Sequence, residues 1–90
     1  MQSDMKKLER IFKALANKRR LAILTYLKKK RIANVGDIAD AIKLSFKATS
    51  KHLGILFAAD ILEREQASLT MNYRLGDNLH SVVKNALDLF

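Results

Sequence analysis

The 90-residue sequence contains no cysteine and no proline. Without thiols there is no disulfide framework, no thiolate metal site and no thiol redox switch. The lack of proline fits a compact helical body, because no residue has its backbone donor removed or its φ locked. Apolar runs long enough to cross a membrane are also missing, none approaching the roughly 18 residues required. Residues 1–7, MQSDMKK, lack the apolar core of a secretory signal, and the chain reads as cytoplasmic. Catalytic groups are equally sparse: only two histidines, no paired carboxylates flanking a cleft, no glycine-rich phosphate loop and no metal cluster. The expectation is therefore a protein that is not an enzyme and carries no cofactor.

Acidic side chains are outnumbered. Seventeen Lys and Arg face nine Asp and Glu, giving a net charge of +8 and a pI near 10.1. The imbalance is local: residues 1–51 hold 14 basic and 4 acidic side chains, residues 52–90 only 3 basic and 5 acidic. Lysine-rich faces also keep small proteins soluble, so charge alone does not separate solubility from binding to a polyanion. The length corresponds to one domain over residues 1–90, and a domain this small buries only about 60% of its unfolded surface, which makes a partner subunit useful.

The pattern from Asn34 to Phe57 decides between those readings. Asn34 is an N-cap candidate, Asp37 suits the positive helix end, and Val35, Ile38 and Ile42, with Ala39 and Ala41 between, give a helix of about eight residues. Lys43 and Leu44 form a turn, and Ser45 caps a second helix whose inner face is Thr49, Leu53 and Leu56, with Ile55 alongside. Its outer face is Lys47, Ser50, Lys51 and Gly54, with Lys43 and Phe46 at the entrance. A second helix that presents small, polar and cationic residues outward is what placing a helix in the DNA major groove requires.

Other elements surround this pair. An amphipathic helix begins near Asp4, its stripe of Leu8, Ile11, Phe12 and Leu15 facing inward or onto a second subunit. Asn17 caps a helix to about Lys30 carrying Leu21, Ile23, Leu24 and Leu27, and the Lys28–Arg31 run complements the negative end of that helix or contacts phosphate directly. Residues 31–33 suit a very short strand. Beyond Ala59 and Asp60, apolar Leu69, Met71, Tyr73 and Leu75 alternate with polar residues as in a half-buried strand. Residues 61–66 are compatible with its antiparallel partner, and residues 66–68 with the connection. Gly76 and Asp77 break the strand and cap a last helix over residues 78–90, whose apolar face of Leu79, Val82, Val83, Ala86, Leu87 and Phe90 invites a two-fold partner or folds back on the chain's own core. The expected fold is mainly α with a small β-hairpin, a winged helix-turn-helix of order α-α-(β)-α-α-β-β-α.

Two stretches resemble the ArsR-type (ArsR/SmtB) winged helix-turn-helix transcriptional regulators. Leu15 to Leu24, LANKRRLAIL, is similar to that family's LADPTRLxIL, with Asn17 for the aspartate, Lys18 for the proline and Arg20 kept. Asp37 to Leu56 is similar to its ELAxxLxLSQSTVSRHLxxL: Ser45, Ser50, His52, Leu53 and Leu56 match, and Lys51 stands for arginine. The resemblance implies a homodimer built on the first and last helices, repressing from a palindromic operator in double-stranded DNA. Each recognition helix would enter a major groove about 34 Å from its twin. It places Ser45, Lys47, Ser50, Lys51 and His52 at the DNA and lets Arg64 on the wing reach the backbone or minor groove. Family members that sense metals use a cysteine pair or Asp and His donors on the last helix. This chain offers only Asp77 and His80 there, too few for a tetrahedral site, so no metal response is expected.

Individual residues carry alternatives. Lys47 and Lys51 can donate to guanine or neutralise phosphate, and Ser45 can cap its helix as well as touch DNA. Phe46 can meet a thymine methyl or pack on the preceding helix. His52 and His80 suit hydrogen-bonded helix histidines, and Arg19 and Arg20 suit phosphate or pairing with Asp37 or Asp40. Glu63 and Glu65 would repel phosphate if the wing faced DNA. Together with Phe46 and Phe57, they favour a second functional reading: a winged-helix module for protein interaction or for nucleic-acid binding without sequence choice.

Overall fold

Side-chain caps decide where most of the helices start. In the computed structural model, which describes residues 2–90, Asn17 Oδ1 accepts from the Arg20 backbone N–H at 3.1 Å and starts α2 (Lys18–Lys30). Asn34 Oδ1 accepts from Asp37 N–H at 2.8 Å and starts α3 (Val35–Ile42). Ser45 Oγ accepts from Ala48 N–H at 3.1 Å and starts α4 (Phe46–Ala58). Each bond satisfies one of the donors that the first helical turn leaves free. The first helix, α1 (Gln2–Leu15), begins two residues before the expected Asp4.

Helix ends are set by the backbone. Lys43 at φ 57° and Asp60 at φ 60° reverse the chain after α3 and α4. Leu44 N–H donates to Ala39 O and Ile61 N–H to Leu56 O, both at 3.0 Å. This six-residue closure is usually made with glycine, yet none of the three glycines has positive φ. Here it is closed by polar residues followed by an apolar one, and Ile61 and Leu56 both disappear into the core.

Strands β1 (Ile32–Asn34), β2 (Leu62–Ala67) and β3 (Thr70–Leu75) form one antiparallel sheet in the order β1-β3-β2. The sheet therefore has three strands, the short strand joining the hairpin. Tyr73 pairs with both Ala33 and Arg64, and Glu63 with Arg74. The hairpin turn is Ser68-Leu69, later than residues 66–68, because Thr70 pairs with Ala67 and Ser68 takes the positive φ of 59°. Leu69, expected in the strand alternation, is instead the wing tip and 96% exposed.

The core joins Ile11, Ala14 and Leu15 to Ile23, Leu24, Leu27, Ile38, Leu53, Leu56, Ile61, Tyr73 and Val83. The expected α1 stripe divides, and two other apolar positions, Ile55 and Leu21, depart from expectation. Phe12 is 54% exposed because α1 carries two stripes, Ile11, Ala14 and Leu15 inward and Met5, Leu8 and Phe12 on a separate outward line. Ile55 is 37% exposed, lying beside Arg10 and Arg20 rather than with Leu53 and Leu56. Leu21 is half-buried, while Ile23, Leu24 and Leu27 of the same helix are buried.

The last helix, α5, is Ser81–Leu87, shorter than the expected 78–90, and His80 caps it with Nδ1 accepting from Val82 N–H at 3.1 Å. Gly76 and Asp77 do not start it: the Asp77 carboxylate takes Arg74 at 3.0 Å and its N–H donates to Glu63 Oε1 at 2.9 Å, which holds this segment to the wing. Val83 and Leu87 pack on the chain's own core, whereas Phe90 lies beyond the helix. Lys28 Nζ reaches across from α2 to Leu87 O at 2.7 Å and Phe90 O at 2.9 Å. The lysine run thus closes another helix's C-terminus as well as ending its own.

Candidate nucleic-acid interface

Burial divides α4 lengthwise. Thr49, Leu53 and Leu56 are fully buried, and the opposite side presents Phe46, Lys47 and Lys51 exposed with Ser50 and Gly54 half-covered. A Cβ built on Gly54 meets nothing within 4 Å, so this face opens to solvent along three turns. Exposed Lys43 stands on the left-handed residue of the turn and exposed Ser45 on the cap. The structure therefore brings Lys43, Ser45, Phe46, Lys47, Ser50 and Lys51 to one surface. Phe46 is 62% exposed and lines a groove together with Val35 and Gly36 of α3.

His52 and Arg64 stand apart from that surface. His52 is half-buried on the side of α4 that meets Arg20 of α2, its Nδ1 3.2 Å from Arg20 Nη1. Burial, then the charges of Arg20, Arg19 and Lys51, hold the imidazole below its ordinary pKa. A neutral ring whose Nδ1 accepts from the guanidinium fits both facts. Arg64 shares the sheet face of Tyr73, with Nη1 a long 3.5 Å from the tyrosine hydroxyl and its guanidinium carbon 3.9 Å from the Phe57 ring centroid. Cation–π stacking of this kind holds an arginine against the protein. It also covers Phe57, and Glu63 is neutralised by Arg74 at 2.6 Å.

Arg19 and Arg20 pair with neither Asp37 nor Asp40. Arg19 Nη1 donates to Ile42 O at 3.0 Å, closing α3. Arg20 donates from Nε to Ala14 O at 2.6 Å and from Nη2 to Lys13 O at 2.9 Å, closing α1. Carbonyls at helix ends lack intrahelical donors, so both arginines act as braces behind the recognition helix.

Between α4 and the wing runs a groove of about 480 Å³, lined by Val35, Phe46, Ser50, Leu69, Met71 and Tyr73 among others. Its wing residues escaped sequence reasoning, because Leu69 and Met71 carry the alternation of a strand and nothing local shows that one of them caps a turn.

A helix with one buried and one cation-bearing open face, propped by a preceding helix and followed by a wing, is a DNA-reading arrangement. Residues 17–64, which span α2 through the first half of β2, match the sequence model described as bacterial regulatory protein, arsR family. The chain belongs to the arsR family. As an arsR-family protein it is a winged helix-turn-helix DNA-binding transcriptional regulator. HlyU from Vibrio cholerae N16961 is similar to it at 30% identity, over 99% of this chain and 92% of that one, with a TM-score of 0.80. AntR, an antimony-specific transcriptional repressor, is 27% identical over 99% of this chain and 78% of its own, with a TM-score of 0.80. The homodimeric winged helix-turn-helix DNA-binding domain of Mb0332 from Mycobacterium bovis is 27% identical over 98% and 78%, with a TM-score of 0.83. A comparison with curated protein sequences finds no match.

Proposed function

We propose that this arsR-family regulator is a cytoplasmic repressor, a single domain over residues 1–90 that binds a palindromic operator as a homodimer without a metal ion. The observation that carries the reading is the open face of α4, where Lys43, Ser45, Phe46, Lys47, Ser50 and Lys51 meet on a chain of charge +8. Lys47 and Lys51, one turn apart, supply phosphate or guanine contacts, and the amides at the Ser45 end favour a phosphate oxygen.

Support for the dimer comes from α1. Met5 is 62% and Phe12 54% exposed, and with Leu8 they form an apolar strip on a helix whose other stripe is already buried. Leu89 and Phe90, next to α5, are exposed as well, and the Mb0332 domain is homodimeric. Independence from metal is supported by the absence of thiols and by the commitments of Asp77 to Arg74 and of His80 to Val82 N–H. AntR responds to antimony by its name, and a chain without cysteine has no thiolate for such an ion. The interaction-module reading keeps the exposed Phe46 and Glu65, while Phe57 lies under Arg64 and Glu63 is paired.

Sedimentation equilibrium and footprinting on a duplex selected from the source genome test the proposal. The expected result is a dimer protecting two major-groove segments about one helical turn apart. A monomer, or uniform protection without a repeat, would overturn it.

A further inference from the structure

The groove between α4 and the wing has no charged side chain among its lining residues, although the chain as a whole is strongly basic. Phe46 and Val35 from the helix side and Leu69, Met71 and Tyr73 from the sheet give it an apolar and aromatic part, beside the uncharged polar side chains of Asn34, Ser50, Gln66 and Thr70. Phe46 is the first residue of α4 and is 62% exposed. Neither the helix cap nor the turn before it requires a phenyl group there. Ser45 already caps the helix, and backbone bonds from Lys43 and Leu44 already close the turn.

An exposed ring at the leading end of a recognition helix meets base edges, and the ring has no group with which to answer their donors and acceptors. The one apolar group that base pairs present in the major groove is the thymine 5-methyl. A phosphate is a poor occupant, because an anion against a phenyl ring in an uncharged groove loses hydration without gaining a cation. Lys47 on the adjacent side supplies the charge that sets register, and Ser50, one turn on from Phe46, can add a hydrogen bond beside the ring.

We propose that Phe46 is a specificity-determining residue that reads the 5-methyl group of one thymine in each operator half-site by apolar contact at the mouth of the α4–wing groove. The inference rests on the operator reading above. Burying one methyl changes an equilibrium constant about fourfold, so a dimer on two half-sites gains ~15-fold.

The test uses the full chain and a duplex selected from a randomised pool. Each thymine is replaced by deoxyuridine, which removes only the methyl, and affinity is read by fluorescence anisotropy. One thymine per half-site is expected to cost about fourfold when replaced singly and ~15-fold when replaced symmetrically. In Phe46→Gln the protein still folds, by circular dichroism, and binds the thymine duplex only about as tightly as the parent binds the deoxyuridine one, so thymine and uracil become equivalent at that position. Phe46→Leu keeps part of the preference. Intact binding with no methyl dependence at any thymine overturns the inference, as does a dependence that survives in Phe46→Gln. A pool that yields no bound duplex at low salt overturns the operator reading itself, a result separable from the other two.

Discussion

Replacing Arg20 with alanine should destabilise the fold while leaving the DNA-facing surface untouched. The guanidinium makes three contacts: 2.6 Å to Ala14 O, 2.9 Å to Lys13 O and 3.2 Å to His52 Nδ1. Hydrogen bonds from a charged donor contribute about 1.5–3 kcal/mol each when desolvated. The Lys13 carbonyl is exposed and can recover water, which leaves the Ala14 and His52 contacts to set the loss. A net loss of about 2–3 kcal/mol follows, against a total of roughly 5–13 kcal/mol for a domain of this size. Urea denaturation should show a lower midpoint at unchanged slope, and the melting temperature should fall by roughly 10–20 °C. Arg20→Lys should recover little, because an ammonium cannot match a planar fork aimed at three acceptors. At a temperature where the variant is folded, the salt dependence of DNA binding should equal that of the parent. A stability loss below about 0.5 kcal/mol, coupled to a salt slope reduced by about one unit per protomer, would refute the reasoning and put the arginine on phosphate.

Three more outcomes follow from the structure. Thr49 Oγ1 is buried without a hydrogen-bond partner among the described residues, so Thr49→Val should stabilise the protein by about 1–2 kcal/mol in urea titration; destabilisation would mean that the hydroxyl is satisfied. Arg31 ends α2 at φ 75° and ψ −53°, a conformation that L residues rarely hold, and Arg31→Gly should raise stability by about 1 kcal/mol, whereas an unchanged melting temperature would contradict strain at this residue. The folded-state pKa of His52 lies below its ordinary 6.5, so the unfolded chain binds the proton more readily. Its contribution is present above pH 6.5 and is lost as pH falls toward the folded value, so stability measured from pH 8 to 5 should decline less in His52→Gln.

Local signals carried most of the fold. Asn17, Asn34 and Ser45 are short polar residues placed just before apolar periodicity, and each caps its helix through its own side chain. The same signal misled at the last helix, because Asp77 satisfies it in sequence but is drawn to Arg74 and Glu63 of the wing, contacts that no local pattern contains. Leu69 failed for a related reason: alternation continues through a residue that the register leaves in the turn. On α4, the cationic and buried faces were readable from spacing. The placements of His52 and Arg64 depend on Arg20 and on Phe57 with Tyr73, residues 32, 7 and 9 positions away. A helical pattern specifies which side a residue occupies; it does not specify which distant group claims it.

The most direct test of the central claim is the salt dependence of operator binding for the Lys47→Ala, Lys51→Ala double variant against the parent. Each lysine on phosphate adds about 0.9 to the slope of log affinity against log salt. Removing four from a dimer should flatten the slope by ~3.6 units while sedimentation still shows a folded dimer. A slope and an affinity identical to the parent's would mean that the outer face of α4 does not lie on DNA.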